Sequence, residues 1–222
     1  MTPTALLVVA KAPVPGLAKT RLTPDLSAEQ AAGVAAASLL DTMDAVVATP
    51  GVRPVIAMTG DLDAAARADE LRAALDGWTV LRQRGSDFGE RLAAAHADTA
   101  AAHPGSPVLQ IGMDTPQVNP ELLSHACELL STADSVIGMA EDGGWWAAGF
   151  RDPAFAALLG GIPTSRDDTG SRTLAAMRSA GLDPAELPLL SDVDNMADLL
   201  AVAGLVPGSR FAASVPAGAA AR

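Results

Sequence analysis

Ala5-Leu6-Leu7-Val8-Val9-Ala10-Lys11-Ala12-Pro13-Val14-Pro15-Gly16-Leu17-Ala18-Lys19-Thr20-Arg21-Leu22 joins an unbroken apolar run to a Pro- and Gly-containing loop ending in Lys-Thr-Arg. An apolar run this short, without alternation, reads as a strand buried on both faces. Similar runs recur at Val55–Met58, Trp78–Leu81, Val108–Gly112 and Ser135–Ala140, with a last short one near Leu187–Leu190. Helical patterns lie between them. The first starts after Ser27, with Gln30 placed to complete a capping box, and carries an apolar stripe through Ala31, Val34, Leu39 and Val46. Others span Asp61–Leu75, Phe88–Ala102, Pro120–Leu130, Thr169–Ala180 and Met196–Ala203. Trp145–Phe150 follows a Gly-Gly pair and is expected to run antiparallel to a neighbour.

This alternation predicts an α/β fold: a three-layer sandwich with a mainly parallel sheet, one antiparallel strand, and helices on both faces. One domain is expected over residues 1–206. The Ala/Gly/Ser/Pro-rich stretch 207–222 is expected to be a flexible tail.

Composition narrows the function. A formal charge of −11 over 222 residues argues against a nucleic-acid-coating protein. The single Cys127 excludes an internal disulfide, and three scattered histidines make no structural zinc site. No unbroken apolar run reaches the roughly 20 residues of a membrane span, and Ala5–Ala10 lacks a basic leader. A soluble, cytoplasmic protein, monomeric or homodimeric, is the expectation. Against 13 arginines stand two lysines, Lys11 and Lys19, both within the first twenty residues. A compact ammonium on a flexible stem suits a phosphate site.

In open α/β sheets ligands bind beyond the carboxyl ends of the strands, which directs attention to the polar residues after each apolar run. The first loop offers Lys11, Lys19, Arg21 and backbone N–H groups to a di- or triphosphate. It is not a Walker A loop, because Ala18 precedes Lys19, and the dinucleotide fingerprint is absent as well. Asp114, followed by Thr-Pro at a strand end, suits a divalent cation shared with phosphates, or simply a turn. Asp192-Val193-Asp194 precedes a helix that Asp194 could cap. Its carboxylates are read as pointing to opposite sides, so one is expected at a metal, Asp194 first and Asp192 second. Glu141-Asp142-Gly143-Gly144-Trp145 is a permissive turn where an acceptor could approach the backbone, with at least one of Trp145 and Trp146 in the core. Gln83, Gly85 and Arg91 suit contact with a base or acceptor, or merely begin a solvated helix. Nucleophilic catalysis lacks support: there is no Gly-x-Ser-x-Gly elbow, and Cys127 sits in an apolar helix pattern.

Lys11-Ala12-Pro13 through Lys19-Thr20-Arg21-Leu22, Gly112-Met113-Asp114-Thr115-Pro116, Glu141-Asp142-Gly143-Gly144 and Asp192-Val193-Asp194 occur in this order. Over residues 4–204 the chain thereby resembles the radical-SAM/selenodomain-associated transferases, a glycosyltransferase-like family. Its assigned relatives look like the 2-phospho-L-lactate guanylyltransferases and the molybdenum-cofactor and sugar-phosphate nucleotidyltransferases. The resemblance implies a GT-A fold, with Ala10, Lys11, Ala12, Pro13, Gly16, Lys19, Arg21, Gln83 and Gly85 around a nucleotide. Lys19, Arg21 and Asp114 would be catalytic, Asp114 and Asp194 would hold Mg²⁺ or Mn²⁺, and Glu141, Asp142, Gly143, Gly144 and Trp145 would meet the acceptor. The chain departs from the pattern in having Trp145-Trp146 where a Tyr is expected after Gly-Gly.

Nucleotidyl transfer from an NTP to a small phosphorylated acceptor is the leading expectation, because a triphosphate rewards two fixed cations. Glycosyl transfer from a nucleotide sugar is the alternative, against which Gly-Met-Asp in place of Asp-x-Asp weighs modestly. A nucleotide-binding protein without turnover is the third.

Overall fold

A computed structural model of the chain describes residues 2–216. Its seven strands are β1 (Thr4–Lys11), β2 (Val52–Thr59), β3 (Thr79–Arg82), β4 (Val108–Gly112), β5 (Ser135–Ala140), β6 (Trp145–Phe150) and β7 (Pro184–Leu190). They form one sheet in the order β3-β2-β1-β4-β6-β5-β7. Every pairing is parallel except those of β6, which runs antiparallel to both β4 and β5, as the sequence predicts.

Helices α1 (Ala28–Ala48), α2 (Ala68–Ala74) and α4 (Pro120–Thr132) lie on one face. Helices α3 (Phe88–Ala102) and α5 (Thr169–Ser179), with a 3₁₀ segment at Pro153–Gly161, cover the other. The α1 capping box forms as expected, Gln30 N donating to Ser27 Oγ and Ser27 N to the Gln30 side chain. By length and composition α1 could cross a membrane, which a search for unbroken apolar runs overlooks. Yet 72% of its most apolar window is buried here, so it is the central core helix.

Helix α2 is shorter than the Asp61–Leu75 pattern, beginning only at Ala68 after a turned segment in which Asp61 accepts from Asp63 N. The expected flexible tail is folded through most of its described length. Helix α6 (Met196–Leu205) is followed by α7 (Arg210–Ala213), whose Phe211 is fully buried with Leu22, Val34, Val193, Leu199 and Val202. Asp41 on α1 accepts from the backbone N–H groups of Arg210 and Phe211. One large aromatic and one carboxylate thus anchor a segment whose composition alone suggests disorder. The rest of that expectation, from residue 217 on, lies outside the described residues.

The α3 face encloses His96, which is fully buried, with neither ring nitrogen hydrogen-bonded among the described residues. Its ring meets Phe150 edge-on, with centroids 5.4 Å apart at 79°. Burial pushes its pKa down to about 3 from 6.5. As pH falls below 6.5 the unfolded chain takes up a proton that the native state refuses, so His96 destabilises the fold by about 2 kcal/mol at pH 5. His96→Leu is therefore expected to gain about that much on the wild type between pH 7 and 5. Urea midpoints at the two pH values check this, and a constant gap between the proteins would refute it.

Candidate active site

The carboxyl ends of β1, β4, β5 and β7 open on a cavity of about 530 Å³. Beyond β1, Lys19 adopts a left-handed conformation (φ 48°), which turns the chain into a short 3₁₀ turn, Thr20–Leu22. Its side chain is only 9% exposed. The ammonium lies 3.0 Å from Asp114 Oδ1 and also donates to Val193 O. Arg21 pairs with Asp194. Both cations of the Lys-Thr-Arg loop are thus held by carboxylates from other strand ends.

Three carboxylates, Asp142, Asp192 and Asp194, offer oxygens within 4.8 Å of one another. Two expectations change here. Asp192 and Asp194 converge rather than diverge, because residues two apart in an extended segment share a side. Val193 takes the opposite side and is buried in the apolar cluster around Phe211. Asp114, expected as a metal ligand, stands outside the group and faces Lys19, while Asp142, expected at the acceptor, joins it. The cap of α6 is Asn195, whose side chain accepts from Ala197 N and Asp198 N, so Asp194 is left free of that task. Burial, then the charges of Asp142 and Asp194, push the Asp192 carboxyl up to about 6. Three crowded oxygen donors, with no softer ligand beside them among the described residues, fit a hard divalent cation such as Mg²⁺ or Mn²⁺.

At Gly143 the turn leaves no room for a ligand, because another segment of the chain occupies that space. Gly170 N donates to Gly143 O at 2.8 Å, and a Cβ built on Gly143 (φ 87°) would lie 1.8 Å from Asp167 O. Gly143→Ala combines a left-handed backbone with a backbone clash. It is expected to destabilise by about 2–4 kcal/mol and displace residues 163–170. Chemical denaturation and protease susceptibility of that segment check this; an unchanged midpoint would contradict the packing.

Of the remaining expected acceptor residues, Asp142, Gly144 and Trp145 line the cavity. Trp146 is core, 2% exposed, with its indole N–H donating to Pro188 O. Glu141 braces the sheet instead: its carboxylate accepts from Ser191 Oγ and its N–H donates to Leu190 O.

Among the residues expected at the nucleotide, only Arg21 lines this cavity. Ala12 N donates to Thr59 O, and Lys11 Nζ to Leu17 O within its own loop. Gln83 donates to the carbonyls of Ala10 and Ala57, tying the ends of β1 and β2 together. Pro13 O accepts from Ala66 N, and Gly16 (φ 76°) turns the loop. Gly85 (φ 138°) packs against the backbone of Glu90 and Arg91.

Sequence reasoning missed Thr164, Ser165, Arg166 and Asp167, which form a wall of the cavity. The segment has no hydrophobic period to mark it. Thr169 closes it, donating to Pro163 O and accepting from Arg166 N. Ser165 is left-handed (φ 59°), an uncommon state for a residue with a Cβ that often marks functional segments.

Residues 42–166 match a family described as uncharacterized protein conserved in bacteria (DUF2064). The chain belongs to DUF2064. Over 108 residues this DUF2064 chain is 35% identical to the phosphoenolpyruvate guanylyltransferase of Streptomyces coelicolor, a match spanning 49% of each protein. It superimposes with a TM-score of 0.84 and 29% identity on a protein from Desulfovibrio desulfuricans G20, provisionally designated a nucleotide-diphospho-sugar transferase. That likeness covers 97% of this chain and 94% of the other. A Mycobacterium tuberculosis H37Rv protein, Rv0371c, crystallised with manganese, shares the fold at a TM-score of 0.54 and 22% identity, over 90% and 98% of the two chains. The DUF2064 chain has the nucleotide-diphospho-sugar transferase fold that its ordered motifs imply.

Proposed function

We propose that this protein is a metal-dependent nucleotidyltransferase that joins the α-phosphate of an NTP to a small phosphorylated acceptor and releases pyrophosphate. One observation supports this above the rest: Lys19 and Arg21 face the carboxylates of Asp114 and Asp194 across the open end of the sheet. Two cations and a cluster of three carboxylates at one edge of the sheet match a metal-bound substrate of several negative charges, and the guanylyltransferase likeness points the same way.

Asp142, Asp192 and Asp194 would hold Mg²⁺ or Mn²⁺, which when bound supplies charge neutralisation at the α-phosphate. Arg21 exchanges its carboxylate partner for the β- and γ-phosphates, and Lys19, held in place beside Asp114, shares with it the charge that builds on pyrophosphate. The acceptor's phosphate oxygen forms a bond to the α-phosphorus as the α–β bridging bond breaks, and a dianionic acceptor leaves no proton to move. Trp145 and the Ser165–Arg166 wall exclude water and align the acceptor. Ala10–Gly16, Gln83 and Gly85 lie on the side where the nucleoside would rest. The reaction belongs to the cytoplasm, where NTPs are available.

Labelled NTPs with Mg²⁺ or Mn²⁺ and a panel of phosphorylated acceptors test the reading through pyrophosphate release. Sugar release from a nucleotide sugar, with no pyrophosphate from any NTP, would instead establish glycosyl transfer. The near full-length likeness to the Desulfovibrio protein favours that second reading.

A further inference from the structure

The cavity extends past its carboxylate mouth to Gln110, a polar residue in the middle of the apolar strand β4. Gln110 is 1% exposed, and its Oε1 has no hydrogen-bond partner among the described residues. Thr115, buried on the same cavity, leaves its Oγ1 unpartnered too. Buried polar atoms are nearly always paired, and an apolar side chain would serve packing better at a position flanked by Leu109 and Ile111. Two orphans on one cavity wall therefore point to a ligand that completes them.

We propose that the inner cavity takes the hydroxyl groups of a phosphorylated sugar or polyol, with Gln110 as its specificity-determining residue. The inference rests on reading the cavity as the acceptor site. Gln110 lies two residues before the end of β4, about 7 Å deeper than Gly112 at the usual strand rise. A phosphate at the mouth beside Arg166, with Arg21 left to the NTP, leaves a carbon chain to reach inward past Val9, Leu92 and Trp145. Hydroxyls at its far end both donate and accept, so they satisfy an amide in either orientation and the Thr115 hydroxyl as well. A three-carbon enol acid such as phosphoenolpyruvate has no hydroxyl to offer Gln110. The same hydroxyl chemistry could arrive on the sugar of a nucleotide sugar.

The test measures binding rather than turnover, by calorimetry on the full chain with Mg²⁺. The probes are glucose 1-phosphate, ribose 5-phosphate, UDP-glucose, phosphoenolpyruvate and inorganic phosphate, with each NTP measured separately. At least one hydroxylated probe is expected to bind tenfold or more tighter than phosphoenolpyruvate and phosphate. Gln110→Met should erase that preference to within about twofold, leave NTP affinity unchanged, and melt several degrees higher because it removes an orphaned amide. Thr115→Val should weaken the preference in part, and it serves if Gln110→Met fails to fold. Equal binding of phosphoenolpyruvate, or a preference untouched by both variants, would overturn the proposal and leave the amide to buried water. A preference for UDP-glucose alone, or sugar-phosphate binding without any NTP binding, would keep the role of Gln110 and overturn nucleotidyl transfer.

Discussion

Lys19→Met lowers kcat/KM by roughly 10²–10³-fold, the loss seen when one charge-stabilising donor is removed from a transition state. The side chain is nearly buried, and its ammonium is fixed between Asp114 and the Val193 carbonyl, so its position is set before substrate arrives. Such preorganisation is what makes a donor worth more in a site than in water. The fold should tolerate the change, because the Asp114 side chain is half exposed and water can take over its pairing. A melting temperature within a few degrees of wild type, with activity gone, is the expected combination. Lys19→Arg should not rescue, since the bulkier planar guanidinium does not fit the nearly buried position between Asp114 and the Val193 carbonyl. Activity near that of the wild type in Lys19→Met would remove this residue from the mechanism.

Asp192→Asn carries the second large effect, and its two readouts move in opposite directions. Mn²⁺ affinity, followed by the paramagnetic signal of the free ion, should fall at least tenfold as one of three hard donors becomes neutral. Stability without metal should rise. Ionised Asp192 is disfavoured in the native state, with its pKa pushed to about 6 against an ordinary 3.8. The penalty is therefore complete above pH 6 and disappears below pH 4. After discounting for its partial exposure it is about 1 kcal/mol, or roughly 2–4 °C for a chain of this size. The variant should outlast the wild type at pH 7.5 and match it at pH 4. A variant less stable at pH 7.5 would contradict the burial penalty at Asp192, and one that binds Mn²⁺ as before would show that these carboxylates do not form a cation site.

The layered fold was legible because unbroken apolar runs and 3.6-residue patterns are properties of contiguous sequence. The antiparallel β6 was legible from the Gly-Gly turn before it. The grouping of Asp142 with Asp192 and Asp194 was not legible, because those two follow β7, about fifty residues on, and contiguous spacing carries no record of that convergence. Asp192 and Asp194 could have been read correctly, since a spacing of two places both on one side of an extended segment. Gln110 also left a signal: an amide in the middle of Val-Leu-Gln-Ile is an expense that a buried strand seldom carries without a partner. The 163–168 wall left none, because neither its turn chemistry nor its left-handed Ser165 follows from composition.

The small apolar cluster around Phe211 gives the end of the chain an influence on chemistry. Leu22, one residue past Arg21, and Val193, between Asp192 and Asp194, are both seated in it, so each side of the ionic site hangs from the same patch. That patch is closed by a four-residue helix held to α1 through Asp41, the sort of unit that opens well before a domain unfolds. Each local opening at α7 would release both halves of the site together while the main sheet stayed intact. Amide hydrogens of Phe211 and of the Lys19–Leu22 turn should then exchange with one shared opening free energy, below that of β1. Changes near the C-terminus would show up in turnover before they show up in a melting curve.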